Sequence, residues 1–141
     1  MSSALDISAS GMYAQRIRLD VISKNIANAS TTRDANGAPN PYRRKDVIFD
    51  FSPTRSMNGL VGVPTPHIVE DTSAFRKEYD ENHPDRVTDP NSPDFNYVYY
   101  PNVNPLVEFV NMIDATRAYE ANVTAFEATK TMRSTALRLL G

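Results

Sequence analysis

Residues 3–29 read SALDISASGMYAQRIRLDVISKNIANA, a stretch without proline in which Leu5, Met12, Leu19 and Ile26 recur every seven positions. Ala9, Ile22 and Ala29 fill the same side, so the spacing predicts one amphipathic helix from about Ser3 to Ala29. Ser3 followed by Asp6 has the spacing of a capping box. Ser30-Thr31-Thr32 and then Asp34-Ala35-Asn36-Gly37 supply the turn formers that end the helix. The far end of the chain repeats the arrangement. Asn104 followed by Pro105 offers an N-cap with proline at the first helical position, where its missing N–H costs nothing. Beyond it Phe109, Met112, Tyr119, Val123, Phe126, Leu137 and Leu140 follow at helical spacings, beside a small-residue face of Ala115, Ala118, Ala121, Ala125 and Ala128. One helix from Pro105 to Leu140 is about 54 Å long at 1.5 Å per residue, more than a module of this size covers by itself. Two faces of contact imply more than one neighbour.

All ten prolines lie between Pro39 and Pro105, which separates two helix-permissive ends from an irregular middle. That middle, residues 40–104, carries a net charge of −3. Val47 to Phe51, Leu60 to Val63, His67 to Val69 and Phe95 to Tyr100 are short runs of strand formers bounded by Pro, Gly, Asn and Asp. Pro64 and Pro66 confine their stretch to a sheet edge or a loop. The expected fold is α+β: long N- and C-terminal helices packed as an antiparallel, coiled-coil-like pair, with a small β-rich, loop-rich middle. The divisions fall at residues 1–32, 33–104 and 105–141.

Composition removes several function classes. The chain of 141 residues has a net charge of −2, which gives no whole-chain field to hold a polyanion. Tyr42-Arg43-Arg44-Lys45 places three cations beside an aromatic, but in such a chain it reads as a solvated strand edge, and no nucleic-acid partner is expected. Cysteine is absent, which removes disulfides, thiolate nucleophiles and sulfur-based zinc sites. No phosphate-binding glycine loop, nucleophile elbow or His-Glu-x-x-His pattern is present, so neither catalytic residue, cofactor nor metal is expected. The alternative of another class is a small cation-binding enzyme or binding module using His67, His83 and the acidic stretch from Asp80 to Asp85. The N-terminus lacks the pattern of a cleaved signal peptide, and no segment approaches a membrane span.

Asn25, Asn28 and Asn122 stand out because asparagine is a poor helix former that prefers to bond backbone. Asn25 and Asn28 fit the fraying end of the first helix. Asn122, between Tyr119 and Phe126, fits a bond across a helix–helix contact.

Ser10-Gly11-Met12, the run from Arg18 to Thr32 with its Asn25-Ile26-Ala27-Asn28 core, Pro41 to Lys45, His83-Pro84-Asp85, Tyr100 to Asn104, and Arg117 to Val123 together resemble the flagellar rod and hook axial proteins. The resemblance covers essentially the whole chain, and the length fits the proximal rod members. Asn96 stands where the pattern has Gly, Glu81 where Pro is common, and Phe109 where Met is frequent. The resemblance implies a structural subunit that polymerises helically around a central export channel and transmits torque from motor to hook. It implies export without a cleaved signal and a place in the periplasmic rod. The implied partners are other copies, other proximal and distal rod subunits, the rod-to-MS-ring adaptor and the export gate. On this reading Leu5, Met12, Leu19, Ile22 and Ile26 pack against Phe109, Met112, Tyr119, Val123 and Phe126, with Leu137 and Leu140 in the same helix-packing and subunit-interface set. Asn25, Asn28, Arg117 and Asn122 are then expected as polar contacts between subunits.

Overall fold

The computed structural model describes residues 2–50 and 65–140, with side chains over 4–50 and 65–139. The expected strand at Leu60 to Val63, the Ser3 cap and the Leu140 side chain lie outside the described residues. Two helices bracket two small sheets: α1 (Ser2–Ala27), β1 (Lys45–Asp50), β2 (Thr65–Glu70), β3 (Arg76–Tyr79), β4 (Tyr97–Tyr100) and α2 (Pro105–Leu140). The α+β expectation holds.

The helix ends follow from local chemistry. Asn28 closes α1 by donating its side-chain Nδ2 to the Lys24 carbonyl at 2.8 Å. The Asp34 carboxylate then collects the N–H groups of Asn36 and Ala38 at 2.9 and 3.1 Å. Gly37 completes this turn at φ +80°, a conformation in which a Cβ is penalised. At α2, the Asn104 Oδ1 accepts from the Leu106 N–H at 3.1 Å and its carbonyl accepts from the Glu108 N–H at 3.0 Å. That is the N-cap the Asn104-Pro105 pair specifies.

Each sheet is an antiparallel pair. In β1–β2 the register sets Val47 opposite Ile68 and Phe49 opposite Pro66. Val47 lines the same small void as Val21 and Ile22 of α1, so this sheet rests on α1. The strand β3, Arg-Lys-Glu-Tyr, has no aliphatic residue and gives no strand signal in the sequence. It forms because β4 places a tyrosine opposite three of its four residues: Arg76 faces Tyr100, Lys77 faces Tyr99 and Tyr79 faces Tyr97. Both cations lie over their partner rings, at 5.1 and 5.4 Å, and the two tyrosines meet edge to face at 5.4 Å. Cross-strand pairs of this kind stabilise a sheet by contacts that single-strand propensity misses. The strand expected from Phe95 starts two residues late because Asn96 has φ +64°. Asn is among the few residues other than Gly that tolerate the left-handed region.

The helices run antiparallel. Asn25 of α1 meets Glu108 of α2, and Gly11 meets Asn122; fourteen residues separate the two contacts on each helix. The same register brings Ser2 level with residue 131. The last nine residues of α2 therefore run past the end of α1, by about 13 Å.

Candidate functional site: the helix seam, its flanks and the joint

The seam between α1 and α2 combines small and polar side chains with the aliphatic pair Val21 and Ile22. Ser8, Ala14, Val21, Ile22 and Asn25 are buried on α1, and Glu108 and Ala115 on α2. At Gly11 a Cβ would stand 2.9 Å from the Asn122 Oδ1 and 3.0 Å from its Cγ and Nδ2, so the absence of a side chain there sets how closely the helices approach. Gln15 brings one buried oxygen, Oε1, that finds no partner among the described residues.

The stripes expected from periodicity lie one position away. Leu5, Met12, Leu19 and Ile26 are half-buried, and Gly11 and Asn25, one residue before Met12 and Ile26, meet α2. On α2 the displacement is the same: Glu108, Ala115 and Asn122 face the seam, while Phe109 is 52% exposed. Of the expected partners, Ile22 is buried, Met112, Val123 and Phe126 are half-buried, and Tyr119 is exposed. One residue turns a helix by about 100°, so bulky side chains beside the seam flank it and leave their far sides open.

Two exposed apolar groups remain on α2. Leu106, Phe109, Val110 and Ile113 form a stripe near its start, and Met132, Leu137 and Leu139 project from the overhang, the last with 83% of its surface open. The overhang also carries Arg133 and Arg138.

The expected polar contacts between subunits divide. Arg117 is exposed, with no hydrogen bond or ion pair among the described residues. Asn28 is used within its own helix end. Asn122 donates to the Ala118 carbonyl of its own helix at 3.0 Å, and crosses the seam by packing against Gly11 rather than by bonding. Asn25 lies apart from the other three. It is fully buried, and its amide is used up inside the chain because α1, β1 and α2 converge there.

That convergence is the joint between the helix pair and the middle. The Asn25 Oδ1 accepts from the Lys45 N–H and the Tyr42 hydroxyl, both at 3.0 Å. Its Nδ2 donates to the Lys45 carbonyl at 2.7 Å and to Glu108 Oε2 at 2.9 Å. Glu108, buried as well, takes two N–H groups of Arg44, from Nε and Nη2, on Oε1 at 3.0 Å each. Burial and then the Glu108 charge push the Tyr42 phenol up, which keeps it a donor. Burial pulls the Arg44 guanidinium down, but the bonds and charge of Glu108 outweigh it and the net shift is upward. A buried carboxylate bonded in this way is satisfied; without its partners it would be costly. Proline, glycine and helical periodicity give no hint of this joint. Its traces in the sequence are single residues: Asn25 as a poor helix former, Arg44 in a cationic run, and a Glu on the small-residue face of α2.

Neither histidine joins a metal-binding group. His67 sits on β2 opposite Ile48, while His83 packs against Tyr100 and accepts the Asp85 N–H on Nδ1 at 3.1 Å. Among the described residues no cluster of three or more potential ligands suits a metal ion, and no helix is long and apolar enough to cross a membrane.

Two family models match the ends of the chain: residues 5–33 match the flagella basal body rod protein family and residues 96–139 the C-terminal part of the flagellar basal body rod FlgEFG proteins. The class is therefore that of flagellar basal-body rod proteins, structural components and not enzymes. Curated relatives named flagellar basal-body rod protein FlgC match nearly end to end. The one from Bacillus subtilis is 43% identical over 96% of this chain and 95% of its own length. Those from Borreliella burgdorferi and Salmonella typhimurium are 41% identical over 98% and 96%, and 33% identical over 95% and 93%, respectively. The chain belongs to the FlgC family of flagellar basal-body rod proteins.

Proposed function

We propose that this rod protein is a subunit of the proximal rod, polymerising helically around the export channel and carrying torque from motor to hook. In this reading residues 1–32 and 105–141 form the axial wall, and residues 33–104 project from it. The observation that carries it is the mismatch between seam and stripes. Beside Val21 and Ile22, the chain packs its two helices through glycine, alanine and polar residues, and it leaves many bulky apolar groups of α2 outside. A helical polymer buries such groups against neighbours on every side, and each buried aliphatic side chain contributes about 1.5–3 kcal/mol.

The partners of these flanks are further copies of this chain and other axial subunits, with the rod-to-MS-ring adaptor and the export gate at the base. The chain reaches the periplasm by the flagellar export route without a cleaved signal. Phe109, Tyr119, Leu137 and Leu140 belong to contacts between subunits, together with Arg117. Leu5, Met12, Leu19, Ile22, Ile26, Met112, Val123 and Phe126 line the seam and its flanks.

The test is Val110→Asp, an exposed position on α2 outside the seam. The variant chain should keep the helix content of the parent in solution and be missing from isolated basal bodies. Normal incorporation with normal swimming would count against this surface as an interface.

A further inference from the structure

Three segments far apart in sequence meet at Asn25, Arg44 and Glu108, and what each does afterwards differs. Asn25 and Glu108 belong to the helix pair. Arg44 belongs to the middle, and from it two polar routes reach the sheets. One is direct: Lys45, the first residue of β1, exchanges both backbone groups with the Asn25 amide, as a neighbouring strand would. The other runs from the Arg44 N–H to Asn102 Oδ1 at 2.8 Å, and from Asn102 Nδ2 to Ser73 Oγ at 2.8 Å. Ser73 lies in the turn that leads into β3.

The guanidinium also has two further partners. Its Nη1 lies 3.5 Å from Asp46 and 3.4 Å from Asp71, both in the middle, while its Nη2 lies 3.0 Å from Glu108. Arg44 therefore stands between a close, buried carboxylate on α2 and two longer, more exposed ones on its own side. If α2 withdraws, Arg44 keeps counter-ions without being stranded, and the middle remains internally paired. When α2 lies beside α1, Arg44 is the cation that pairs with the buried Glu108 among the described residues, in a small void that Arg18 and Lys45 also line. Buried polar contacts of this type are well suited to fixing one arrangement where the apolar packing is weakly specific, and the seam of small residues is such a case.

We propose that Arg44 is the moving part of a latch: pairing of the terminal helices creates the Asn25–Glu108 pocket, which captures Arg44 and fixes the orientation of the middle on the helix pair. Asn25 and the packing of β1 and β2 on α1 seat the middle on that helix, and the capture of Arg44 adds the tie that needs both chain ends paired. The latch is a property of this fold and does not depend on which neighbours the outer flanks meet.

The absence of cysteine makes the test direct. One pair of spin labels, at Asp6→Cys and Glu127→Cys, reports the distance between the helices. A second pair, at Asn91→Cys and Asp114→Cys, reports the orientation of the middle relative to α2. Both are measured by pulsed electron resonance on the full chain in a stabilising osmolyte. In the parent both distance distributions are narrow. Glu108→Gln keeps the shape and the Asn25 bond but removes the charge that holds Arg44; the second distribution should broaden at least twofold while the first stays narrow. Should Glu108→Gln disturb the helices as well, Asn102→Ala removes the downstream link without leaving a charge buried, and the same broadening of the second distribution alone is expected. A narrow second distribution in Asn102→Ala, or in a Glu108→Gln chain whose helices remain paired, overturns the latch.

Discussion

Replacing Gly11 by alanine sets two known effects against each other at one site. In a helix interior alanine is favoured over glycine by about 1 kcal/mol, so on propensity alone Gly11→Ala stabilises α1. The new Cβ, however, would stand 2.9–3.0 Å from three atoms of the Asn122 amide, where carbon contacts are comfortable at about 3.5–4.0 Å. Relief needs either a parting of the helices by about 0.5–1 Å or rotation of the amide, which sacrifices its 3.0 Å bond to the Ala118 carbonyl. Overpacking of this size costs about 1–3 kcal/mol. The net expectation for Gly11→Ala is destabilisation of about 0–2 kcal/mol. In an Asn122→Ala background the obstacle is gone, and the same substitution should stabilise by about 1 kcal/mol. The assay is urea unfolding followed by far-ultraviolet circular dichroism for the four chains of the cycle, in an osmolyte that keeps the helix pair populated. A coupling of about 1–3 kcal/mol with a change of sign is predicted. Equal stabilisation in both backgrounds, with coupling below about 0.5 kcal/mol, would refute the claim that Gly11 and Asn122 set the helix approach.

Other predictions follow from single residues. Gln15→Met removes the buried oxygen that lacks a partner, and should raise the urea midpoint by the equivalent of about 1 kcal/mol; an unchanged or lower midpoint would mean that the oxygen is satisfied. Asn96→Gly should be tolerated, and Asn96→Ala should cost about 1–2 kcal/mol for its left-handed backbone; equal stability of the two variants would contradict that backbone. The bonds from Arg33 and then Thr32 hold the Asp85 carboxyl below its usual range. Its contribution is therefore complete above the unfolded value of about 3.9 and is lost as pH falls through the lower folded value. Acid should loosen the tie between residues 32–33 and 85, Asp85→Asn should remove that acid dependence, and a carboxyl titrating at or above about 3.9 by nuclear magnetic resonance would sink the assignment.

The helices were legible because their signals are local. Absence of proline, seven-residue spacing and the Asn104-Pro105 cap place α2 at Pro105 to Leu140 and α1 within two residues of its observed ends. The seam was not. Periodicity weights large apolar residues, so it selected Leu5, Met12 and Phe109, whereas close helix approach is set by residues that carry no hydrophobic signal: Ser8, Gly11, Ala14 and Ala115. The strand β3 was hidden for a related reason, since Arg76 and Lys77 are strand residues only through the tyrosines opposite them. The joint at Asn25, Arg44 and Glu108 depends on contacts 20 to 83 residues apart in sequence, and a linear pattern carries no information about such a meeting. Asn25 attracted notice as an unusual helix residue, but its partners lie within its own chain.

The central claim is that the outer flanks of the helix pair are completed by neighbouring subunits. Hydroxyl-radical footprinting tests it most directly, comparing oxidation of Phe109, Met132, Leu137 and Leu139 in the free chain and in isolated basal bodies. The account predicts ready labelling of all four in the free chain and strong protection of them in the basal body, with Tyr79 of the middle as an exposed reference. Equal labelling of the four residues in both samples would contradict it.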